Sequence, residues 1–378
     1  MRSLALPLDG TSRIRLVLYF TKGLGDVIAA EAAGIVPAAA IRQQENRFLV
    51  LAMTVAEAAR LGREARTVDD ARLLVAGPER IGSEAGFAAL CAAAAERVRD
   101  VLPPGGALPP GGVLPPGGAQ LPGPWSVTLS ARNPCWRDSP AWDPAPALAR
   151  HFPGSDLGAT ERSAIDLRVQ ADRDQVHIAL NLWSRPIGKR GDDRIARPGA
   201  LRPAVAAAMI RLGIRAAGPE LAGRGVYDPF CGTGTLVAEG AHVGLPVFAS
   251  DVDQRAVELT RQRLAGELAG SAAGAADTLR HRVFSHDVRH GLPQRVSAGI
   301  LAANMPWGKQ VRVTGRLALY DATALLARRL LDGGGAVALL TTHEDQLAAR
   351  LRRQRLEVSC RRIGLLGQTP AIVLASAR

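Results

Sequence analysis

The second half of the chain repeats one pattern, in which a short apolar segment is followed by a turn and an amphipathic stretch. From residue 200 onward, helix-like runs follow the segments GVYDPF, PVFASD, AGILAANMPW and GAVALLTTH. Strands alternating with helices in this way predict an α/β fold, a doubly wound, mostly parallel sheet that binds ligands at the carboxyl ends of its strands. The last apolar segments, LEVSCRRIG and PAIVLASA, predict a C-terminal antiparallel hairpin.

The first half has no such regular alternation. Strand-like runs occur at 14–21, 46–53, 125–132, 164–172 and 175–183. Helical spacing is found in GDVIAAEAAGI, VDDARLLVAG, GFAALCAAAAERVRDVL and PAPALARHF. This order predicts one or two small α+β modules ahead of the parallel sheet.

Residues 102–124 form a low-complexity segment, LPPGGALPPGGVLPPGGAQLPGP, in which L-P-P-G-G occurs three times. Proline removes a backbone donor and glycine adds chain entropy, so neither a helix nor a strand is expected there. We interpret the segment as a solvated insertion loop with no functional content.

Composition limits the classes of protein that are open. The chain has 378 residues, 47% of them hydrophobic, which is enough for two or three domains with packed cores. It contains no long uncharged apolar run and no secretory leader pattern, so we expect a cytoplasmic protein that does not enter a membrane. Four widely spaced cysteines indicate neither a disulfide framework nor a metal site.

The net charge of +12 is typical of a protein that binds nucleic acid. Another interpretation stays open, because 44 of the 47 basic residues are arginines, a bias that a GC-rich genome also produces. Charge therefore indicates a class of partner and says nothing about the fold.

The stretch DPFCGTGTLVAEGA, residues 228–241, places Asp228, Pro229 and two glycines between a strand and a helix. Gly232 and Gly234 would let the backbone approach a ligand closely. No Lys-Ser/Thr pair follows, so the turn is not a P-loop, and Val237 stands where a dinucleotide fingerprint has its third glycine.

Two further acidic residues follow predicted strands. Asp251 ends the next strand, roughly twenty residues after the glycine turn, a spacing that suits a carboxylate on ribose hydroxyls. Asp287, in SHDV, suits the amino group of adenine. A helix cap or a surface carboxylate is the alternative interpretation of Asp287.

The segment NMPWG, residues 304–308, ends the fourth strand of the second half. The exocyclic amine of a base is a poor nucleophile, and acceptors on its two N–H groups, from Asn304 and a backbone carbonyl near Met305, would hold it and favour a localised lone pair. Trp307, after Pro306, would stack on a base splayed out of its helix. A turn with an aromatic plug is the alternative interpretation.

These motifs resemble those of the class I S-adenosylmethionine-dependent amino-methyltransferases, especially the THUMP-containing RNA guanine-N2 methyltransferases. The resemblance implies a ferredoxin-like domain at residues 1–76, a THUMP RNA-binding domain at 77–185 and a Rossmann-like methyltransferase domain at 186–378. Relatives often have N-P-P-Y where this chain has Met305, and the variant seen here is similar to the tRNA guanine-N2 branch. The insertion at 102–124 interrupts the expected THUMP segment.

The resemblance implies a monomeric, metal-independent enzyme that forms N2-methylguanosine in tRNA, which it binds at the acceptor arm. S-adenosylmethionine would be bound by Asp228, Pro229, Gly232, Gly234, Asp251, Asp287 and Asn304, and Asn304, Pro306 and Trp307 would act in catalysis. Two alternatives stay open: a DNA adenine-N6 or other N-methyltransferase, and an RNA-binding protein with an inactive methyltransferase fold.

Overall fold

The computed structural model divides the chain into two compact units, residues 1–19 with 29–187 and residues 20–28 with 188–378. The structure describes the following residues: 10–101, 125–132, 144–152, 155–157, 165–172, 175–181, 183, 187–189, 199–221, 223–269, 281–294, 296–306, 315–365 and 367–377. The predicted insertion loop at 102–124 lies outside this part of the chain, and so does Cys135.

The first unit is built on an eight-stranded sheet of order β2-β3-β1-β4-β8-β7-β5-β6. Its strands are β1 Arg13–Tyr19, β2 Ala40–Gln44, β3 Phe48–Thr54, β4 Asp70–Arg80, β5 Trp125–Arg132, β6 Ser155–Leu157, β7 Ile165–Asp172 and β8 Gln175–Asn181. It contains residues 29–35 of helix α1 Gly25–Ile35, together with α2 Val55–Glu64, α3 Glu84–Val101 and α4 Ala145–His151. The predicted α+β character of this half is confirmed.

Strand β4 corrects one local prediction, because VDDARLLVAG was expected to be helical. The strand pairs with β1 on one side and β8 on the other, and residues 70–76 are all buried. A strand that is covered on both faces is apolar without a period of two, so its pattern cannot be distinguished from that of a buried helix. The predicted domain limit at residues 76 and 77 falls inside β4, and that division stays a prediction.

The second unit contains a seven-stranded sheet of order β11-β10-β9-β12-β13-β15-β14. Its strands are β9 Gly225–Asp228, β10 Val247–Asp251, β11 Arg282–Ser285, β12 Ala298–Asn304, β13 Ala336–Thr341, β14 Leu356–Arg362 and β15 Ala371–Ala377. The first five strands in this order are parallel, and β15 is antiparallel to both of its neighbours. The mostly parallel sheet and its C-terminal hairpin are as predicted.

The described part of the second unit contains five α-helices, one before β9 and four between later strands. They are α5 Pro203–Ala217, α6 Thr235–His242, α7 Gln254–Ala269, α8 Arg316–Leu330 and α9 Glu344–Arg353. Helix α5 packs very closely on β12, because a Cβ on Gly213 would lie only 2.8 Å from Cγ2 of Ile300. Glycine at this position therefore fixes the distance between α5 and the strand that carries Asn304.

Arg224 closes the amino edge of the parallel sheet. Its guanidinium donates hydrogen bonds to four backbone carbonyls, those of Ala298, Leu330, Gly333 and Gly334, at 2.6–2.9 Å. These carbonyls belong to the start of β12 and to the connection from α8 to β13. One side chain thereby satisfies acceptors that the helix end and the turn would otherwise leave unpaired.

Residues 20–28 belong to the second unit although they lie near the start of the chain. The carbonyl of Lys22 accepts a hydrogen bond from the Gly364 backbone at 3.0 Å, and Arg361 forms an ion pair with Asp26. Gly23 has φ +94°, and a Cβ there would lie 2.4 Å from the Arg362 carbonyl oxygen. Only glycine fits this contact.

Candidate functional site at the carboxyl edge of the parallel sheet

The strand order places the predicted site residues on one edge of the second sheet. Asp228, Asp251 and Asn304 are the last residues of β9, β10 and β12, and Asp287 follows β11 by two positions. These strands are parallel neighbours, so their carboxyl ends meet at the same edge. The amide of Gly232 joins the first two strand ends, since it donates a hydrogen bond to Oδ2 of Asp251 at 3.0 Å.

Asp228 is only 2% exposed at the end of β9. Its Oδ1 accepts a hydrogen bond from the Phe230 backbone at 3.0 Å, which shapes the turn after the strand, and Pro229 is buried within that turn. The pKa of Asp228 is raised to about 8, mainly by burial, with a smaller contribution from the nearby Asp251 carboxylate. The site thus contains a carboxyl group whose ionisation a cationic ligand would favour.

The two glycines of the turn are needed for different reasons. Gly232 has φ +54°, and the nearest atom to a Cβ built there is the Phe230 carbonyl oxygen at 3.9 Å, so this face of the turn is open. Gly234 has φ +75°, and its Cβ would lie 3.0 Å from the Cα of Thr260 on α7. Gly232 accordingly leaves room for a ligand, whereas Gly234 allows α7 to approach the turn.

Thr260 is a residue of the site that the sequence did not indicate. Its hydroxyl is fully buried and donates to the Gly232 carbonyl at 3.1 Å. The backbone of Cys231 donates to the Ser250 carbonyl at 3.0 Å, which fastens the same turn to β10. A threonine inside a helix has no distinctive sequence signal, so only the fold reveals that Thr260 supports the turn.

Both oxygens of Asp251 accept backbone hydrogen bonds, Oδ2 from Gly232 and Oδ1 from Asp253, each at 3.0 Å. The side chain is partly exposed, and each carboxylate oxygen retains capacity for a further donor. Burial raises the pKa of Asp251 above its ordinary value. The position and the orientation of this carboxylate are therefore fixed before any ligand arrives.

The carboxylate of Asp287 caps the short helical turn at 288–290, since it accepts a hydrogen bond from the Arg289 backbone at 2.9 Å. The Arg289 side chain also donates to both of its oxygens. The hydrogen bond from this guanidinium lowers the pKa of Asp287 to about 2. The structure thus shows the cap that the sequence left open as an alternative, and the adenine contact stays a prediction.

The two ends of the Asn304 amide differ in their hydrogen bonding. Its Nδ2 donates to the Gly199 carbonyl at 3.1 Å. A carbonyl oxygen accepts only from a donor, so this contact fixes which end of the amide is nitrogen. Oδ1 is buried and finds no hydrogen-bond donor in the part of the chain that the structure describes. A buried acceptor without a donor is costly, which is typical of a position that binds a ligand.

The residues after Asn304 explain the departure from N-P-P-Y. The Met305 amide donates to the Leu340 carbonyl at 2.9 Å, a bond that a proline could not form. The Met305 side chain is 1% exposed and packs in the core cluster that includes Tyr320. Pro306 is partly buried, and Trp307 lies outside the described residues. Met305 therefore extends the pairing of β12 with β13 by one bond.

Comparisons with known proteins find similarity mainly in this half of the chain. Residues 190–370 match the family described as RMKL-like, methyltransferase domain. A curated tRNA (guanine(6)-N2)-methyltransferase of Thermus thermophilus is 32% identical over 186 residues, which cover 48% of this chain and 51% of that protein. A tRNA (guanine(10)-N2)-dimethyltransferase of Methanothermobacter thermautotrophicus is 30% identical over 149 residues, 39% of this chain and 40% of that protein.

The matched segments thus span about half the length, or less, of these curated relatives. The crystal structure of TrmN from Thermus thermophilus aligns with 97% of this chain and 100% of its own, with a TM-score of 0.65 and 22% identity. At that identity the likeness establishes the fold. The second unit has the class I methyltransferase fold that its motifs predicted.

The geometry of the carboxyl edge fits the ligand that such a domain takes. Two carboxylates, Asp228 and Asp251, lie close enough to influence each other, and the open face of Gly232 adjoins them. A ligand with a positive charge and with hydroxyl donors would satisfy both carboxylates. The described residues contain no group of three or more His, Cys, Asp or Glu side chains arranged to hold a metal, and no described helix is long and apolar enough to cross a membrane.

Proposed function

We propose that this protein is an S-adenosylmethionine-dependent RNA methyltransferase that forms N2-methylguanosine in tRNA. One observation supports this proposal above the others: at the end of β12, the strand next to the glycine turn, Oδ1 of Asn304 is buried and no residue that the structure describes donates to it. An amide oxygen in that position is suited to accept an N–H of an exocyclic amine. The family match at residues 190–370 supports the same class of reaction.

The cofactor would be held by groups that the fold already orients. Asp251 would accept hydrogen bonds from the ribose hydroxyls, and Asp287 stays a candidate for the adenine amine. Asp228, with Pro229 shaping the turn and Gly232 keeping it open, would face the charged methionine portion. Gly234 would contribute indirectly, because its lack of a Cβ lets α7 pack against the turn. When bound, S-adenosylmethionine supplies a methyl group on a positively charged sulfur.

The target guanine would lie against Asn304 and Pro306, with Trp307 as a stacking surface. Oδ1 of Asn304 and a neighbouring backbone carbonyl would accept the two N–H bonds of the exocyclic amine and aim its lone pair at the methyl carbon. Transfer of the methyl group to this nitrogen would leave S-adenosylhomocysteine, and the proton that the nitrogen loses would pass to water. Orientation and electrostatics would supply most of the rate enhancement, with no metal required.

The substrate proposal draws on the two relatives, both of which are named as tRNA guanine-N2 methyltransferases. We assign RNA binding to the first unit, with a THUMP-like domain at residues 77–185 that grips the acceptor arm, and we propose a cytoplasmic monomer. The net charge of +12 suits contacts to phosphates. A DNA adenine-N6 methyltransferase leaves the first unit without a role.

A nucleoside digest tests the proposal directly. Full-length protein is incubated with methyl-labelled S-adenosylmethionine and total tRNA from a strain that lacks the corresponding gene, with ribosomal RNA and double-stranded DNA as parallel substrates. Label in N2-methylguanosine from tRNA is the expected result. Label only in N6-methyladenine from DNA would replace the proposal with the DNA alternative. Cofactor binding without transfer to any substrate would favour an RNA-binding protein with an inactive fold.

A further inference from the structure

The carbonyl of Gly199 is the hydrogen-bond partner of the Asn304 amide, and no sequence motif indicated it. The bond joins residues that are 105 positions apart in the chain. Gly199 has φ +87°, a backbone conformation that glycine adopts readily and other residues rarely do. This conformation is therefore part of what directs the Gly199 carbonyl toward the end of β12.

The surrounding fold holds the Gly199 carbonyl in place. Only three residues separate Gly199 from the start of α5 at Pro203, and one of them, Leu201, is buried. Helix α5 packs tightly on β12 through Gly213 and Ile300. Gly199 is anchored just before α5, and Asn304 is at the end of β12. Because α5 packs tightly on β12, the two hydrogen-bonding groups keep a fixed geometry.

We infer that the Gly199 backbone carbonyl is a positioning group for the proposed methyl transfer, and that it makes this site require an amide, not a carboxylate, at position 304. The bond from Nδ2 turns Oδ1 of Asn304 toward the target amine. A carboxylate at 304 would present two acceptors, and the one facing the Gly199 carbonyl would be repelled. This inference rests on the proposed function, since Gly199 acts only through Asn304.

The inference gives Asn304→Asp an unusual pH dependence. At pH 8 the carboxylate of the variant cannot donate to the Gly199 carbonyl, so single-turnover methyl transfer should fall about a hundredfold below wild type. Protonation restores a donor. Partial burial and the facing carbonyl oxygen should raise the pKa of the introduced carboxyl. The ratio of variant to wild-type rate should therefore rise as the pH is lowered from 8.5 to 6.

A second variant tests the carbonyl from the other side. Gly199→Ala places a side chain on a residue with φ +87°, and we expect the loop to relieve that strain by shifting, which would lengthen or break the bond to Asn304. We expect kcat to fall at least tenfold, with KM for S-adenosylmethionine changed less than threefold. Gly244→Ala is the matched control, because Gly244 has φ +79° and a Cβ added there would have no atom within 4 Å. Alanine at a positive φ should destabilise both variants to a similar extent. Only Gly199→Ala should also lose kcat.

The outcomes separate the positioning role from the proposed function. A wild-type protein that transfers no methyl group to RNA overturns the proposed function itself. With an active wild type, a pH-independent rate ratio for Asn304→Asp, or an Asn304→Asp rate equal to wild type at pH 8, overturns the positioning role alone. If Gly199→Ala proves too unstable to assay, the Asn304→Asp pH profile still decides, since that variant leaves the backbone of the loop unchanged.

Discussion

The amino and carboxyl edges of the parallel sheet in the second unit differ in the hydrogen bonding of the polar groups named above. At the amino edge, Arg224 donates to four backbone carbonyls that belong to separate segments. At the carboxyl edge, Oδ1 of Asn304 is buried and receives no hydrogen bond from any described residue, and burial raises the pKa of Asp228 to about 8. The hydrogen bonds from Arg224 stabilise the fold at the amino edge, whereas the Asn304 oxygen and the Asp228 carboxyl group leave the carboxyl edge with polar groups ready for a ligand.

This difference predicts that substitutions at the two edges affect different quantities. The largest expected effect belongs to the carboxyl edge. Asn304→Ala should lower the single-turnover rate of methyl transfer by about a hundredfold or more, because it removes the acceptor that orients the amine. Calorimetry should show nearly unchanged affinity for S-adenosylmethionine, because the proposed cofactor contacts at Asp228 and Asp251 remain. Equal losses of rate and of cofactor affinity would contradict this assignment.

Arg224→Ala should act on stability instead. The substitution leaves four carbonyls without their donor, some of them partly buried, and should lower the free energy of unfolding by about 3 kcal/mol. Denaturant titration measures this change, with exposed Arg352 on α9 replaced by alanine as the control. The folded fraction of Arg224→Ala should retain wild-type cofactor affinity. A stability loss no greater than that of Arg352→Ala would remove the contrast between the edges.

Asp251→Ala sharpens the comparison within the carboxyl edge. Loss of one charged acceptor for the ribose hydroxyls should weaken S-adenosylmethionine binding by about 2 kcal/mol, or roughly thirtyfold. Calorimetry on the full chain provides the measurement, and Asp345→Ala, at an exposed position on α9, provides the control. Unchanged affinity in Asp251→Ala would exclude this carboxylate from the site.

Asp228 predicts a smaller, pH-dependent effect. Its pKa is raised by burial, so the proton must leave before the carboxylate can pair with a cationic ligand. Cofactor affinity should therefore increase severalfold from pH 6 to pH 8 in wild type, and by less in Asp228→Asn. The stability of the unliganded protein should change in the opposite sense, because a raised folded-state pKa contributes stability that is lost as the pH rises toward about 8. Identical pH profiles in the two proteins would contradict this role.

Contiguous motifs made the positions of the candidate site residues in the fold predictable from the sequence. The glycine turn with Asp228, the carboxylate of Asp251 and the Asn304 segment each lie at a strand end that apolar patterning locates. The helix at VDDARLLVAG was wrong because β4 is buried on both faces, which removes the alternation that identifies a strand.

Contacts between distant parts of the chain were not predictable in this way. The Gly199 bond to Asn304 and the packing of residues 20–28 against Arg361 and Gly364 join segments about 100 and 340 positions apart, and single-sequence patterns carry no information about such pairs. The role of Gly234 was also hidden, because it depends on where α7 passes.

Two variants, each measured for stability and for rate, separate the roles of the two edges. Unfolding free energies and single-turnover rates on unmodified tRNA are measured for the same preparations of Asn304→Ala and Arg224→Ala, with the rate expressed per folded molecule. For Asn304→Ala we expect near-wild-type stability and a rate about a hundredfold lower than wild type. For Arg224→Ala we expect reduced stability and a near-wild-type rate. A wild-type rate in Asn304→Ala would contradict the proposed role of Asn304 in methyl transfer, even with the fold intact.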